Sequence, residues 1–441
     1  MLIRKKIGVI SLGCDKNRVD TEKMLARISK EHQIVSNPED AEIIVINTCA
    51  FLQSSREEAI EEILSVAQLK ESGRLEKIIV CGCLPQKFIG EIFDELVEAD
   101  AFLGVADYNK ILWVIQELYS ENKRINAVGE IDFSCDEYTN RYLTTKGYAY
   151  LKIADGCSNH CTYCLIPKIR GRFRSIKEDV LLEEAKGLGN VKELILVAQD
   201  TAKYGEDLEN KTNLVRLIKK LSALDNVDSI RLLYCYPENV SEELIEELKN
   251  NPKLIKYIDM PLQHASDRIL KLMNRKGNKE QYLSLIAKLK EQVEGIAIRS
   301  TFITGFPTET EEDFNSLVDF LQKAKLFNAG FFAYSREEGT SAYKLEGQVE
   351  EKVKKARLKK LYSVQKKVVK QNLSKLIGKE IPVTVEGFDE NELCYYGRAY
   401  FNAPEIDGKV YFFSVNDVDY GDEINVRILQ NTDYDLYGEQ V

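Results

Sequence analysis

Three cysteines stand on one short loop, Gly156-Cys157-Ser158-Asn159-His160-Cys161-Thr162-Tyr163-Cys164, directly behind a strand-like run at 149–154. No other feature limits the fold so tightly, because the chain must aim three thiols from one strand end into one space. Three thiolates on such a loop can each hold one iron of a cubane iron–sulfur cluster and leave the fourth iron without a protein ligand. An open iron is what a cluster needs to chelate a small molecule. A structural zinc site is the alternative. Zinc asks for a fourth ligand at a closing spacing, and His160, the nearby candidate, is wedged inside the loop.

A second set of cysteines is dispersed. Cys14 follows the strand-like VISLG, Cys49 follows IIVINT and Cys83 follows IIVCG. In an open parallel sheet the carboxyl ends of neighbouring strands border one crevice. Three cysteines at equivalent strand ends are therefore expected to converge and to suit a second cluster. The alternative is that small buried cysteines fill tight packing; matching positions behind three strands argue against it. Of the ten cysteines, Cys81, Cys135, Cys235 and Cys394 are read as structural, with Cys81 expected on the same strand face as Cys83. Clustered cysteines in a chain of this kind point to metal or catalysis rather than to disulfides.

A length of 441 residues predicts two or three domains, in an α/β multidomain protein. No apolar run approaches the ~18–20 residues of a membrane-spanning helix. The basic start leads into a strand pattern rather than a signal peptide, so a cytoplasmic protein with no membrane partner is expected. Within 1–140, strand-like runs at 7–12, 43–47, 78–81 and 101–103 alternate with helical stretches at 20–30, 54–69 and 86–98. That alternation predicts an open parallel α/β domain, and the polar stretch 130–146 reads as a linker. Within 141–376, six strand candidates (149–154, 193–197, 229–234, 257–260, 296–303 and 330–333) alternate with helices and lead to a long basic helix at 350–376. They predict a partial (βα)6 barrel of the TIM type, with its chemistry at the carboxyl ends of the strands. Gln199-Asp200, Gln263-His264 and Gly305 occupy such ends. Each serves either loop capping or a ligand, and His264 is either a proton carrier or a structural histidine. Gly305 lets the backbone approach a ligand closely. Within 377–441, Val, Ile, Tyr and Phe alternate with turn residues, as in a small antiparallel β-barrel.

The cysteine loop resembles the signature of the radical SAM (S-adenosylmethionine) superfamily. The three parts in this order resemble the methylthiotransferase family across essentially the whole chain, the last part being of the TRAM type. The resemblance implies that Cys157, Cys161 and Cys164 hold a 4Fe–4S cluster whose open iron binds SAM. Tyr163 then lies with its backbone against adenine, Gln199 and Gly305 are the further candidates for cofactor contact, and Cys14, Cys49 and Cys83 hold a second 4Fe–4S cluster. It also implies a route: one electron cleaves SAM into methionine and a deoxyadenosyl radical, and the radical takes hydrogen from the substrate carbon. Sulfur presented at the second cluster is methylated by a second SAM and transferred. A one-electron donor such as a flavodoxin or ferredoxin, and a sulfur donor, are implied partners. The segments SLGCDKNRVDTE, YCYPENVSEELIEEL and DMPLQHASDRILKLMNR resemble the RimO branch of the family. That branch methylthiolates the β-carbon of an aspartate in the small-subunit ribosomal protein numbered twelve. The tRNA adenosine branch, MiaB-like, remains the alternative, and a non-enzymatic iron–sulfur scaffold is the third reading.

Charge bears on the substrate independently. The net charge is −10, and from residue 378 onward there are 14 acidic against 4 basic residues, so this short segment carries the whole excess. A nucleic-acid-binding domain attracts phosphates with Lys and Arg. An acidic barrel repels RNA and attracts a basic protein, as ribosomal proteins generally are; simple solubilisation is the alternative. The acidic run 386–392, with Gly387 and Asn391, reads as an exposed turn. The basic helix at 350–376 is expected to pack on the barrel, with nucleic-acid contact as the sharper alternative.

Overall fold

The computed structural model describes residues 4–71, 73–121, 123–131, 140–209 and 211–441. Cys135, and residues 132–139 of the expected linker, lie outside the described residues. In the N-terminal sheet the strands Gln33–Ile34, Lys6–Ser11, Ile43–Thr48, Lys77–Gly82, Ala101–Leu103 and Ile125–Ala127 lie side by side in that order, all parallel. Ile43–Thr48 is buried at every position, as a strand covered on both faces must be. The order of strands switches direction between Lys6–Ser11 and Ile43–Thr48, and such a switch opens a crevice at the carboxyl ends. Two short strands, Gln33–Ile34 and Ile125–Ala127, go beyond the sequence reading, because two or three residues display no period.

The first helix, Asp15–Ile28, starts five residues before the expected position 20. Its early turns bury Lys16, Asn17, Asp20, Thr21 and Glu22. A helix whose covered face is polar carries no apolar 3.6-residue period, so its start is invisible to pattern reading. That polar face meets the second domain.

The second sheet orders Tyr148–Lys152, Val191–Val197, Val227–Leu232, Leu254–Asp259, Ala297–Thr304 and Asn328–Ala333, all parallel and open at both edges. Residues at alternate positions divide its two faces. Leu151, Leu194, Leu196, Ile230, Leu232, Ile258 and Ile298 pack outward with the covering helices. Tyr148, Tyr150, Ile195, Val197, Leu233, Tyr257 and Ala297 belong to a different apolar cluster, shared with the C-terminal segment and with Val19 of the first helix. A closed barrel would fill its own interior; this open one is filled by its neighbours. The long helix Glu351–Ser374 packs as expected, with Leu361 and Val364 in the barrel core and Val369 and Leu373 against the C-terminal segment.

The strands Glu380–Asp389, Cys394–Arg398, Val410–Phe413, Leu436–Gln440 and Glu423–Asn431 close into a barrel in that order. Four ladders are antiparallel, and Val410–Phe413 pairs with Leu436–Gln440 in parallel. Parity requires this, since an odd ring of strands cannot alternate direction all the way round. The acidic run at 386–392 is only partly a turn. Glu386 lies within the first strand and accepts a hydrogen bond from Arg398 Nε at 2.5 Å, and the Asp389 carboxylate accepts the N–H groups of Asn391 and Glu392. No described helix is long and apolar enough to cross a membrane.

Buried charge docks the small barrel into the concave face. Glu193 pairs with Arg231 and, at 2.8 Å, with Arg398, and Tyr257 donates to Asp407 at 2.7 Å. Burial pushes the Glu193 carboxyl up, but Arg231 and Arg398 outweigh it and hold the group down at about 2. Its contribution to stability is therefore present above the unfolded carboxylate value of ~4.3 and is lost as the pH falls through about 2. Glu193→Gln leaves the buried Arg231 guanidinium without a carboxylate and Arg398 with Glu386 alone, and is expected to destabilise this docking by about 3–5 kcal/mol. The check is a lowered first unfolding transition, with faster proteolysis between the long helix and the small barrel, at neutral pH.

Candidate functional site

The N-terminal crevice is built from three strand ends. Cys14 ends the turn after Lys6–Ser11, Cys49 follows Ile43–Thr48, and Cys83 opens the helix Cys83–Glu95 directly behind Lys77–Gly82. Gly13 shows how close these ends come. Its φ is +89°, and a Cβ there would lie 2.7 Å from Cys49 Cβ and 3.2 Å from Cys49 Sγ. Asn17 laces the ends together: its amide donates to Leu12 O at 3.1 Å and Thr48 O at 3.0 Å, and its Oδ1 lies 3.9 Å from Cys83 Sγ. Burial raises the Cys83 thiol to about 12, with further upward pressure from Cys49 and Cys14 against the lowering effect of Arg170. Burial and Cys14 likewise raise Cys49. Thiols this near each other resist ionising together unless a cation joins them, which is the donor chemistry of an iron–sulfur cluster.

Cys81 does not share the face of Cys83. The strand ends at Gly82, whose φ of +101° turns the chain, so Cys81 packs with Met24 and Leu103 in one core while Cys83 packs in another. Cys235 and Cys394 are buried, far from either trio in sequence, with Cys235 beside Thr201 Oγ1 at 3.1 Å.

The second trio follows the first strand of the open barrel. Gly156, φ +74°, has no room for a side chain, since a Cβ would lie 2.1 Å from Arg172 O. Cys157 and Cys161 are buried and Cys164 is half-buried. Burial lifts Cys157 to about 11, and burial with Cys161 and Cys157 lifts Cys164. Among the described residues no three His, Cys, Asp or Glu side chains converge on a single-ion position. Zinc would need each sulfur ~2.3 Å from one point and a fourth ligand, whereas a cluster spreads its ligands over several irons.

One buried ion network joins the trios. Arg170, six residues beyond Cys164, donates to Asn17 Oδ1 at 2.6 Å, to Asp20 Oδ2 at 3.1 Å and to Asp155 Oδ2 at 2.9 Å. Lys152 pairs with Asp20 and, at 2.9 Å, with Asp155. Leu165 and Ile169 bury in the same apolar cluster as Cys83 and Leu84. A second clamp runs from Glu337, behind the last barrel strand, to Arg56 at 2.6 Å and to the N–H of Gln53 at 2.7 Å.

The other expected contacts divide. Gln199 donates to Asp155 Oδ1 at 3.1 Å, and its Oε1 is buried without a partner. Asp200 beside it accepts from Asn239 at 2.8 Å and Asn159 at 3.3 Å through Oδ2, while Oδ1 is buried and unpartnered, and burial raises its carboxyl to about 6. Tyr163 packs on Ile269, Met273, Phe306 and Tyr334. Gly305 instead faces the long helix: a Cβ would lie 2.4 Å from Lys354 Cγ, and its N–H donates to Glu309 at 2.7 Å. His264 joins that same knot, fully buried, with Nδ1 accepting the Ser266 N–H at 2.9 Å and Nε2 3.3 Å from Glu309. Arg170, Asp20, Tyr234, Tyr236 and Arg275 were not singled out by sequence reasoning. The glycine before Cys14, Cys83 and Cys157 is the signal that marks the crevices in sequence.

Comparison with known proteins follows the same division. Residues 6–104 match Uncharacterized protein family UPF0004, residues 151–321 the Radical SAM superfamily and residues 377–441 the TRAM domain. The chain is 45% identical to the ribosomal protein uS12 methylthiotransferase RimO of Acetivibrio thermocellus over 100% of this chain and 99% of that one. It is 46% identical to the RimO of a Thermoanaerobacter species, over 99% and 100%. Among solved structures, the radical S-adenosylmethionine methyltransferase TsrM of Kitasatospora setae, with cobalamin and a [4Fe-4S] cluster, shares the fold, with a TM-score of 0.57 and 12% identity over 77% of each chain.

Gly156→Val is expected to displace the 157–164 loop and to lower the iron the chain takes up, without abolishing uptake by the N-terminal trio. Iron and sulfide analysis after anaerobic loading checks this, with the complementary Cys14, Cys49 and Cys83 to Ala variant beside it.

Proposed function

The chain belongs to the methylthiotransferase family of radical SAM enzymes, in its RimO branch, and we propose that it attaches a methylthio group to the β-carbon of an aspartate in ribosomal protein uS12. The reading includes two 4Fe–4S clusters, two SAM per product, the division into 1–140, 141–376 and 377–441, and a cytoplasmic setting. The observation that carries it is the pair of thiol trios at the strand ends of two domains, riveted to each other by Arg170. Cys157, Cys161 and Cys164 would hold one cluster and Cys14, Cys49 and Cys83 the other. The bound cofactors supply the one-electron chemistry that an unactivated C–H bond demands and acid–base side chains cannot.

The chain's own residues bind, orient and exclude water. Asp200 and Gln199 each offer a buried acceptor oxygen without a partner beside the cysteine loop, the kind of group that the ammonium of SAM would satisfy. Tyr234, at the end of the third barrel strand, reaches Asp15 at 3.4 Å and carries the Lys16 ammonium 3.5 Å from its ring centre, closing the crevice beside Cys14. A flavodoxin or ferredoxin would deliver the electron, and a separate donor the sulfur.

Replacing Cys157, Cys161 and Cys164 by Ala is expected to abolish deoxyadenosine formation from SAM. Replacing Cys14, Cys49 and Cys83 is expected to leave deoxyadenosine but no methylthio transfer, read by mass spectrometry of uS12. Product on a tRNA adenosine instead of uS12 would overturn the substrate assignment.

The acidic barrel is read as the steering surface for the basic substrate. Glu390, Glu392, Asp417 and Asp419 are exposed, whereas Glu386 holds Arg398 and Asp389 caps a turn. Reversing those four exposed acids to Lys is expected to slow association with uS12 more than the chemical step. The difference should shrink in salt, as the Debye length falls from ~10 Å at 0.1 M to ~3 Å at 1 M. Binding of uS12 and of tRNA at the two salt concentrations measures it.

A further inference from the structure

Each thiol trio has one buried arginine against it, and the two are neutralised differently. Arg170 faces Asp20 and Asp155. Arg275 has no such matched set. Its side chain is 1% exposed, and its nearest carboxylate oxygen, of Glu238, is 4.0 Å away on a side chain still 19% exposed. One terminal nitrogen donates to Pro261 O at 2.7 Å, the other lies 3.9 Å from Cys161 Sγ, and Nε is buried without a partner. The guanidinium carbon lies 4.1 Å from the Tyr236 ring centre, and the Tyr236 hydroxyl is itself 3.9 Å from Cys161 Sγ.

The position is built rather than incidental. Arg275 ends a turn behind the helix Asp267–Leu272, and that turn is hydrogen-bonded to the cysteine loop on both sides of Cys161. Thr162 N–H donates to Met273 O at 3.1 Å, Thr162 Oγ1 donates to Leu272 O at 2.8 Å, and the Asn274 amide donates to His160 O at 3.1 Å. The turn therefore fixes how far the guanidinium stands from the sulfur.

A buried cation with an incomplete counter-charge is costly. A group carrying three thiolates supplies that counter-charge, and adding an electron to it strengthens the attraction. In a low-dielectric surround both the charge and an N–H···S contact favour the reduced state, and net charge and hydrogen bonds to sulfur set the potentials of such clusters. We propose that Arg275 is a positioning residue that raises the reduction potential of the cluster held by Cys157, Cys161 and Cys164, and so makes it accessible to a one-electron donor. This rests on the reading that these three cysteines hold a 4Fe–4S cluster.

The test is a potentiometric titration followed by electron paramagnetic resonance, with dithionite as reductant. The full chain carries Cys14, Cys49 and Cys83 as Ala, so that one cluster alone reports. Arg275→Gln removes the charge and keeps an N–H donor; Arg275→Met removes both. Expected are midpoints more negative than that of the parent, with Met shifted further than Gln, at unchanged iron content. A parent that binds no iron would defeat the cluster reading itself. A loaded Gln variant with the parent's midpoint would overturn the inference while leaving that reading intact. If only the Met variant fails to load, the Gln variant decides. Loss of iron in both would also overturn it, making Arg275 a structural member of the loop.

Discussion

The fold depends on a small group of buried charges where the first helix meets the open barrel. Arg170 and Lys152 come from the barrel, Asp20 from the helix behind Cys14, and Asp155 from the residue before Gly156. Two positive and two negative groups match, which is the condition for burying ions without a prohibitive desolvation penalty. Removing one member strands the rest, so the group tolerates little variation in how the domains sit. Asn17 extends the same group to the strand ends that carry Cys14, Cys49 and Cys83. Short, directional contacts thus fix the placing of the trios where the apolar packing of Leu165 and Ile169 beside Cys83 alone would accept sliding.

An open barrel makes this arrangement possible. Its concave face carries the buried Lys152, Glu193, Arg231 and Asp259 and the half-buried Arg299, charges that a closed barrel would not enclose together. The first helix matches them at the carboxyl end, where the cysteines are. The small C-terminal barrel matches them further down, through Arg398, Asp407 and the carbonyl of Tyr400, which accepts from Arg231 at 2.8 Å. Asp20 of the first helix completes a positive charge that the central domain leaves unpaired, and the small barrel adds partners to the Glu193–Arg231 and Asp259–Arg299 pairs within that domain.

Strands were legible in the sequence wherever apolar residues run unbroken to a turn, as at Ile43–Thr48 and Val191–Val197. The two trios were legible because cysteine at a strand end is a pattern of position, independent of contacts. The residues that join the trios were not. Asp20, Asn17 and Arg170 carry no mark in the sequence, since burial of a polar face depends on a partner far away in sequence: Arg170 lies 150 residues from Asp20. Gly305 and His264 each admitted two readings, structural or functional. Both sit at strand ends, and the knot around Glu309 and Arg357 engages them in seating the long helix. A strand end is a place where chemistry can occur, and the partner from another element decides whether it does.

Charge is sorted by depth in this chain, and the sorting has a functional logic. Positive groups lie beside the cysteine trios, in Arg170 and Arg275, where sulfur-rich anionic centres need compensation in a low-dielectric surround. The unmatched negative charge lies on the outer face of the small barrel, at Glu390, Glu392, Asp417 and Asp419, where water screens it and a basic partner can find it. The acids that the sequence count lumps together are of two kinds. Glu386 and Asp407 are bound up in holding the barrel in place, and only the exposed ones are free to act at a distance.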